Sequence, residues 1–166
     1  MKRRVFLKWS SLLGTASCIG AEERSPFVKR FREVEPVIRA VQEHMFPEGS
    51  RLPSAASMRV THFMFETMHH PSFDRDIRRF VIAGARELQH REKGKFTVLP
   101  AEEKERALRA YEETVDGRQW LSRIMVLTME AFFSDPLYGS NINEAGWRAL
   151  HTEGGYPRPT TQYIEL

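Results

Sequence analysis

Residues 73–88 of this 166-residue chain read FDRDIRRFVIAGAREL, and this stretch decides the fold class. Its apolar residues follow the spacing of one helical face, and they are Phe73, Ile77, Phe80, Val81, Gly84 and Leu88. Pro71 ends the helix before the stretch, Ser72 can cap the new helix, and Asp74 and Asp76 lie near its positive end. The stretch therefore predicts an amphipathic helix that packs against other helices.

The flanking segments predict further helices from the same period and from Pro and Gly punctuation. Their predicted limits are Pro36 to Met45, about Met58 to His70, Pro100 to a break at Asp116-Gly117, and a last helix that stops at Asp135-Pro136. Val115 is expected to complete the apolar stripe of the helix that begins at Pro100. The last helix is expected to point most of its large side chains inward, namely Trp120, Leu121, Ile124, Met125, Leu127, Thr128, Ala131 and Phe132.

No stretch alternates strictly between apolar and polar residues, as a half-buried strand would. The sequence therefore predicts an all-α fold, a single small bundle of about five helices. Three parts are expected, namely a signal segment at 1–21, a helical bundle domain at 22–151 and an extended tail at 152–166. Because Gly154-Gly155, Pro157 and Pro159 forbid regular structure, this irregular C-terminal arm is expected to lie along another surface or to be loose.

The net charge of +3 and the pI near 9.2 suggest a nucleic-acid-binding protein, but the charge is not spread over the chain. Four basic residues and no acidic ones lie in residues 1–21, so the remainder has 21 basic residues against 22 acidic ones. Those charges are mixed in sign along every predicted helix. A basic stripe for phosphate contacts is absent from the sequence pattern, and nucleic acid is excluded as a partner.

The first 21 residues, MKRRVFLKWSSLLGTASCIGA, have the pattern of an export signal, with a basic start and a short apolar run. Arg3 and Arg4, followed closely by Phe6 and Leu7, form the twin-arginine pattern, which is read on folded cargo. The alternative is an N-terminal helix with a basic start. The export interpretation predicts a periplasmic protein that leaves the cytoplasm already folded, alone or with a partner.

Cys18 is the only cysteine and lies in the signal segment. Processing after Ala21 would leave no disulfide, no thiolate metal ligand, no haem c attachment motif and no cysteine set for an iron–sulfur cluster. The sequence also has no Gly-x-Gly-x-x-Gly fingerprint, no phosphate loop and no Gly-x-Ser-x-Gly elbow. We therefore predict no catalytic residue and no cofactor-binding residue in this chain.

Two Glu-x-x-His sequences are the strongest candidates for a metal site. Glu66 and His69 form the first, and Glu87 and His90 form the second. This spacing puts a carboxylate and an imidazole on one helical face, as di-iron carboxylate bundles require. The motifs lie on consecutive helices, and the second sits in a charged run, so surface charge pairing is the competing interpretation. A metal-dependent, di-iron-like bundle enzyme stays open as an alternative function.

The segment DPLYGSNINEAGW at 135–147 combines turn formers with two large aromatic residues. Pro136 cannot continue the preceding helix, Gly139 can adopt a left-handed conformation, and Asn143 can cap a short helix. Tyr138 and Trp147 add large areas with one polar group each. The segment is either a rigid loop packed against its own chain or part of an interface.

Three segments together resemble the gluconate 2-dehydrogenase subunit 3 family. They are RRVFLK at 3–8, MFPEGSRLPSAASMRVTHFMFETM at 45–68, and DPLYGSNINEAGW at 135–147. The last is similar to a family pattern of Pro-x-Tyr-Gly-Gly-Asn followed by Gly-Trp, which Pro136, Tyr138, Gly139, Asn141, Gly146 and Trp147 match. Ser140 departs from the pattern by replacing its second Gly, and the tail to Leu166 extends beyond the usual family ending.

The resemblance implies a small, non-catalytic subunit of a membrane-associated dehydrogenase complex for sugars, polyols or aldonates. A large flavoprotein of the glucose–methanol–choline type would hold FAD, and a multihaem cytochrome c subunit would carry haem c. The small subunit would help the flavoprotein to mature and would escort it through the twin-arginine translocase. The matched loop residues would then be family-motif or partner-interface residues. A freestanding structural protein of the cell envelope is a further alternative.

Overall fold

A computed structural model describes residues 26–162 of the chain. The chain divides into two units within its first helix, residues 1–33 and 34–166, and the account below concerns the second. The described residues form six α-helices: α1 Pro26–Met45, α2 Val60–His69, α3 Arg75–Arg91, α4 Ala101–Glu112, α5 Val115–Phe133 and α6 Ala145–Ala149. Residues 26–162 contain no strand, so the predicted all-α bundle is confirmed. No helix of this part is long and apolar enough to cross a membrane.

Helix α5 is central to the packing, because it contacts α2, α3, α4 and α6. Its approach to α3 is close where Gly84 faces Trp120. A Cβ atom on Gly84 would lie 2.0 Å from Cδ1 of the Trp120 indole, so only glycine fits there. The Trp120 Nε1–H donates to the Val81 carbonyl oxygen at 2.9 Å, which satisfies the polar atom of a fully buried side chain. The predicted apolar face of α3 is thus used against α5.

A buried polar network joins the second half of α1 to α2 and α5. Gln42, which is fully buried, donates from Nε2 to Oγ1 of Thr128 at 3.1 Å. Its Oε1 accepts from the Thr61 hydroxyl at 2.7 Å. Thr128 in turn donates to the Ile124 carbonyl oxygen at 2.7 Å. Since a buried amide is costly without partners, the network fixes how these three helices meet.

Helix α1 begins ten residues before the predicted start. Pro36 lies inside the helix instead of at its first turn. Its ring is exposed, and the helix loses one backbone donor at this point without ending. Proline at a first helical position was therefore the wrong interpretation of Pro36.

The caps of α3 and α5 also differ from the sequence prediction. Asp74, and not Ser72, caps α3, because its Oδ1 accepts from the amides of Asp76 and Ile77 at 2.7 and 2.9 Å. Those backbone bonds lower the pKa of Asp74. Thr114 caps α5, with Oγ1 accepting from the Gly117 amide at 3.0 Å. Gly117 thus lies in the first turn of α5 and does not interrupt a helix.

Two apolar residues predicted to point inward are exposed. Val115 begins α5 instead of completing the stripe of α4, and it is 66% exposed. Met125 is 37% exposed, although the other predicted inward residues of α5 are buried. The prediction for Val115 was wrong because α4 already ends at Glu112. The prediction for Met125 was wrong because the period alone does not show which side of a largely apolar helix lacks a neighbour.

Candidate functional site: the Asp135–Trp147 loop and its tail

The loop begins where α5 ends at Phe133, and its first turn is fixed by Asp135. The Asp135 Oδ1 accepts from the Leu137 amide at 2.9 Å and starts a 3-10 turn at Pro136–Tyr138. Gly139 follows with φ of 84°, so the predicted left-handed conformation is confirmed. Its amide donates to the Pro136 carbonyl oxygen at 3.0 Å. Tyr138 is half-buried at the end of this turn.

Asn141 closes the loop with its side chain, which is fully buried. Its Nδ2 donates to the Ser134 carbonyl oxygen at 2.9 Å, and its Oδ1 accepts from the Gly146 amide at 2.9 Å. Asn143 does not cap α6 as predicted, because Glu144 is the residue at the cap position and Asn143 lies one residue earlier, with a left-handed φ of 53°. Asn141 therefore caps α6 from outside the helix, and its side chain connects the two ends of the loop.

Ser140 connects the loop to the segment that precedes α2. Its fully buried hydroxyl donates to the Met58 carbonyl oxygen at 2.7 Å. Met58 belongs to a core cluster with Ala55, Val60, Ala131 and Phe132. The serine that departs from the family pattern thus makes a bond that glycine cannot make.

Helix α6 approaches the end of α5 very closely. A Cβ atom on Gly146 would lie 2.1 Å from the Phe132 carbonyl oxygen, which excludes any other residue without a backbone shift. The contact brings Trp147 onto α5, where its Nε1–H donates to the Phe133 carbonyl oxygen at 3.0 Å. Trp147 is only 7% exposed. Its ring therefore has an intramolecular role.

The C-terminal tail covers this ring. The Arg158 guanidinium lies over the Trp147 ring, with Cζ at 4.6 Å from the centroid. Its Nε donates to Asp135 Oδ2 at 2.6 Å, and its terminal nitrogen donates to Glu144 Oε1 at 2.9 Å. The bonds to Glu144 and Asp135 raise the pKa of Arg158 further above its usual value. Gly154 also lies against the ring, since a Cβ there would be 2.5 Å from Trp147 Cη2.

The described part of the tail, up to Gln162, therefore lies along the loop of its own chain. Gln162 donates through Nε2 to the Leu137 carbonyl oxygen. Of the two expectations for the tail, the structure matches the one in which it lies along a surface. The peptide bond between Tyr156 and Pro157 is cis, and Tyr156 is 81% exposed.

The structure does not assemble a metal site from the two Glu-x-x-His sequences. Within residues 26–162, no three His, Cys, Asp or Glu side chains are grouped so that they could hold a metal ion. Glu66 lies 4.0 Å from His62 one turn earlier, His69 stacks on Phe65, and Glu87 pairs with Arg91 at 3.0 Å. His90 is exposed near the end of α3. The interpretation as local surface pairing fits these contacts.

Three residues of the site were not singled out from the sequence. Arg158 and Glu144 gave no signal, because an Arg and a Glu in irregular segments have no period and no motif. Ser140 was noticed only as a departure from the family pattern. The export residues Arg3, Arg4, Phe6 and Leu7 lie outside the described residues.

The arrangement supports packing and does not bring reactive groups together. The motif residues mainly bond the nearby backbone, and Arg158 pairs with both carboxylates, Asp135 and Glu144. The site is thus a rigid corner that joins α5, α6 and the tail, next to the segment before α2.

Comparison with known proteins gives one family. The family model described as Gluconate 2-dehydrogenase subunit 3 matches residues 33–155, which include α2 to α6 and the whole loop. No curated protein sequence and no solved structure matches the chain.

Proposed function

The chain belongs to the gluconate 2-dehydrogenase subunit 3 family, and from this we propose that it is the non-catalytic small subunit of a periplasmic dehydrogenase complex that oxidises sugars, polyols or aldonates. Its task is to stabilise or mature the flavin-containing subunit and to escort it out of the cytoplasm. The observation that carries the proposal is the family match over 33–155, which covers the bundle from the second half of α1 onward.

Membership of a family of third subunits implies partnership with other dehydrogenase subunits. We assign FAD and substrate oxidation to a large partner of the glucose–methanol–choline type. Electron transfer to the membrane is assigned to a multihaem cytochrome c partner. The sequence supports this division of labour, because it carries neither a dinucleotide fingerprint nor a haem c attachment motif.

The export role rests on residues 1–8. The pair Arg3-Arg4 with Phe6 and Leu7 has the twin-arginine pattern, and this pathway transports folded proteins. A flavoprotein that must bind FAD before export needs such a route, and a small subunit folded onto it supplies the signal. The complex is then periplasmic and associated with the membrane through its cytochrome.

The loop residues Pro136, Tyr138, Gly139, Asn141, Gly146 and Trp147 are proposed to serve this function indirectly. They hold α5, α6 and the tail in one arrangement, and a partner needs a fixed surface to recognise. A direct contact of Tyr138 or Trp147 with the partner stays a prediction.

The export role is tested by replacing both arginines in the full chain, co-expressed with its cognate flavin-containing subunit. Arg3→Lys with Arg4→Lys keeps the charge but removes the guanidinium pair. We expect the flavin-containing subunit to stay in the cytoplasm, with its periplasmic dehydrogenase activity reduced at least tenfold. Activity and flavin fluorescence are measured in the two fractions.

Arg24→Lys is the matched control, because it makes the same exchange outside the predicted signal segment at 1–21 and is expected to leave export unchanged. If the partner of the double variant still reaches the periplasm in active form, the escort role is wrong. If the flavin-containing subunit does not co-purify with the wild-type chain, both the subunit role and the escort role are wrong.

A further inference from the structure

Helix α5 has an exposed face, although four other helices pack against it. Val115, Met125 and Val126 on this helix are 66%, 37% and 44% exposed. Arg118 and Ser122 lie between them at helical spacing and are also exposed. We call the surface formed by Val115, Arg118, Ser122, Met125 and Val126 the α5 face.

A groove runs along each side of the α5 face. The groove toward α3, of about 630 Å³, is lined by Ile77, Phe80 and Val126 among others. The groove toward α4 and the end of α1, of about 480 Å³, is lined by Leu108, Leu121 and Met125 among others. Arg118 and Ser122 line both grooves, so the two form one surface with the α5 face as its ridge.

The acidic side chains at the edges of these grooves are already paired. Asp76 pairs with Arg79, and Glu105 bonds His44 and Arg109 at 2.8 Å each. Glu112 pairs with Arg109 at 3.1 Å.

Two of the arginines that line these grooves are in the opposite situation, Arg118 in both grooves and Arg123 in the groove toward α3. Among residues 26–162, neither Arg118 nor Arg123 has an ion-pair partner within 4.0 Å, and Arg123 acts on Asp74 and Glu130 only at longer range. The surface therefore presents apolar side chains beside two arginines that have no carboxylate partner within 4.0 Å in the described part of the chain.

We infer that the α5 face with its two grooves is the docking surface for the flavin-containing dehydrogenase subunit. The segment that docks there is apolar at its centre and carries carboxylates that pair with Arg118 and Arg123. When a partner removes the exposed Val and Met side chains from water, their burial lowers the free energy of binding. The unpaired arginines select a partner surface of opposite charge and orient it.

This inference rests on the proposed function, since family membership is what supplies a dehydrogenase subunit as the occupant. It adds which surface of the chain binds and what chemistry the partner must present. A nucleic acid fits less well, because it offers phosphates to the arginines but no apolar segment to the α5 face and its grooves.

The test uses the full chain co-expressed with its cognate flavin-containing subunit, with affinity measured on the purified components. Val126→Asp adds a negative charge at the centre of the surface, and Arg118→Glu reverses a charge that lines both grooves. We expect each change to weaken binding by roughly tenfold or more, because central interface residues dominate affinity. Far-UV circular dichroism and thermal melting check that both variants remain folded.

Two matched controls lie off this surface. Val98→Asp changes a valine that is 79% exposed on the turn between α3 and α4. Arg106→Glu changes an arginine of α4 whose nearest carboxylate, Glu103, is 3.9 Å away. We expect wild-type affinity for both controls.

A photo-reactive phenylalanine in place of Val126 locates the partner segment. We expect it to cross-link to an acidic, apolar peptide of the flavin-containing subunit, whereas the same probe at Val98 does not.

Wild-type affinity in folded Val126→Asp and Arg118→Glu variants overturns the docking surface but leaves the subunit role intact. A wild-type chain that binds no flavin-containing subunit overturns the proposed function and this inference together. Equal loss of binding in the off-surface controls shows a general charge effect and also overturns the inference.

Discussion

Gly146 sets how closely α6 can approach the carboxyl end of α5. A Cβ atom on Gly146 would lie only 2.1 Å from the Phe132 carbonyl oxygen. Gly139 has a different reason to be glycine, since nothing lies within 4 Å of its virtual Cβ and only its φ of +84° is demanding. At the residue scale, one glycine provides space and the other provides backbone freedom.

Replacing Gly146 with alanine tests the spatial requirement. Because the obstructing atom belongs to the backbone, the helix must shift, and Gly146→Ala is expected to lower the free energy of unfolding by about 1–3 kcal/mol. Urea denaturation followed by circular dichroism measures it. Gly155→Ala is the matched control, with nothing within 4 Å of its Cβ and no positive φ, and should be nearly neutral. A Gly146→Ala variant as stable as this control would contradict the close approach.

At the scale of elements, the loop, α6 and the tail form one unit around Trp147. Asn141 ties the two ends of the loop, Trp147 bonds the last turn of α5, and Arg158 covers the indole. Removing the guanidinium leaves Asp135 and Glu144 without their partner and exposes one face of the ring. The tail is therefore expected to leave the loop before the bundle unfolds.

Arg158→Gln tests this local detachment. We expect faster proteolysis within residues 151–162 and stronger acrylamide quenching of Trp147 fluorescence, with little change in the melting temperature, because the ion pairs are partly solvated. The quenching difference must vanish in a Trp147→Phe background. Arg148→Gln, on the exposed side of α6, is the matched control and should behave like wild type. Unchanged proteolysis in Arg158→Gln would show that the tail is held by other contacts.

Helix limits show where sequence patterns fail at this scale. Pro36 was expected to begin a helix, but an exposed proline removes only one backbone bond and the chain continues through it. Gly117 was expected to end the helix that begins after Pro100, but Thr114 caps a new helix that includes Gly117. Ser72 was expected to cap α3, but the helix begins at Arg75, so Asp74 is the residue at the cap position.

At the scale of the whole molecule, Tyr111 connects α4 to α3. It is 2% exposed, and its hydroxyl donates to the Gly84 carbonyl oxygen at 3.2 Å. Burial, with a smaller effect of Glu87, raises the pKa of Tyr111 from 10.0 to about 12. The phenol therefore stays protonated in the folded chain at pH values where it ionises in the unfolded chain.

The sign of the pH dependence follows from this difference. Below about pH 10 both states hold the proton and stability is unaffected, whereas between about pH 10 and 12 the unfolded state releases it first. The free energy of unfolding should fall through this window by roughly 1 kcal/mol or more, given about 1.4 kcal/mol for each pH unit. Urea denaturation at pH 9, 10 and 11 measures it against Tyr111→Phe, which lacks this contribution. Identical pH dependence of the two proteins would contradict the raised pKa.

The sequence by itself determined that the chain is an all-α bundle of about five helices, and it determined the family to which the chain belongs. Helical period is a local property, so Val81, Gly84 and Leu88 could be assigned to a buried face before any partner helix was known. The motif at 135–147 is also local, since it is a run of adjacent residues.

Only the tertiary structure decided which sides of these helices have neighbours. Trp147 is buried because Gly146 admits α6 onto α5 and because Arg158, from a segment without a period, covers its ring. Met125 and Val126 are exposed because the elements that pack on α5 leave that side open. Burial depends on contacts between residues far apart in the chain, and a period in one helix carries no information about what lies opposite it.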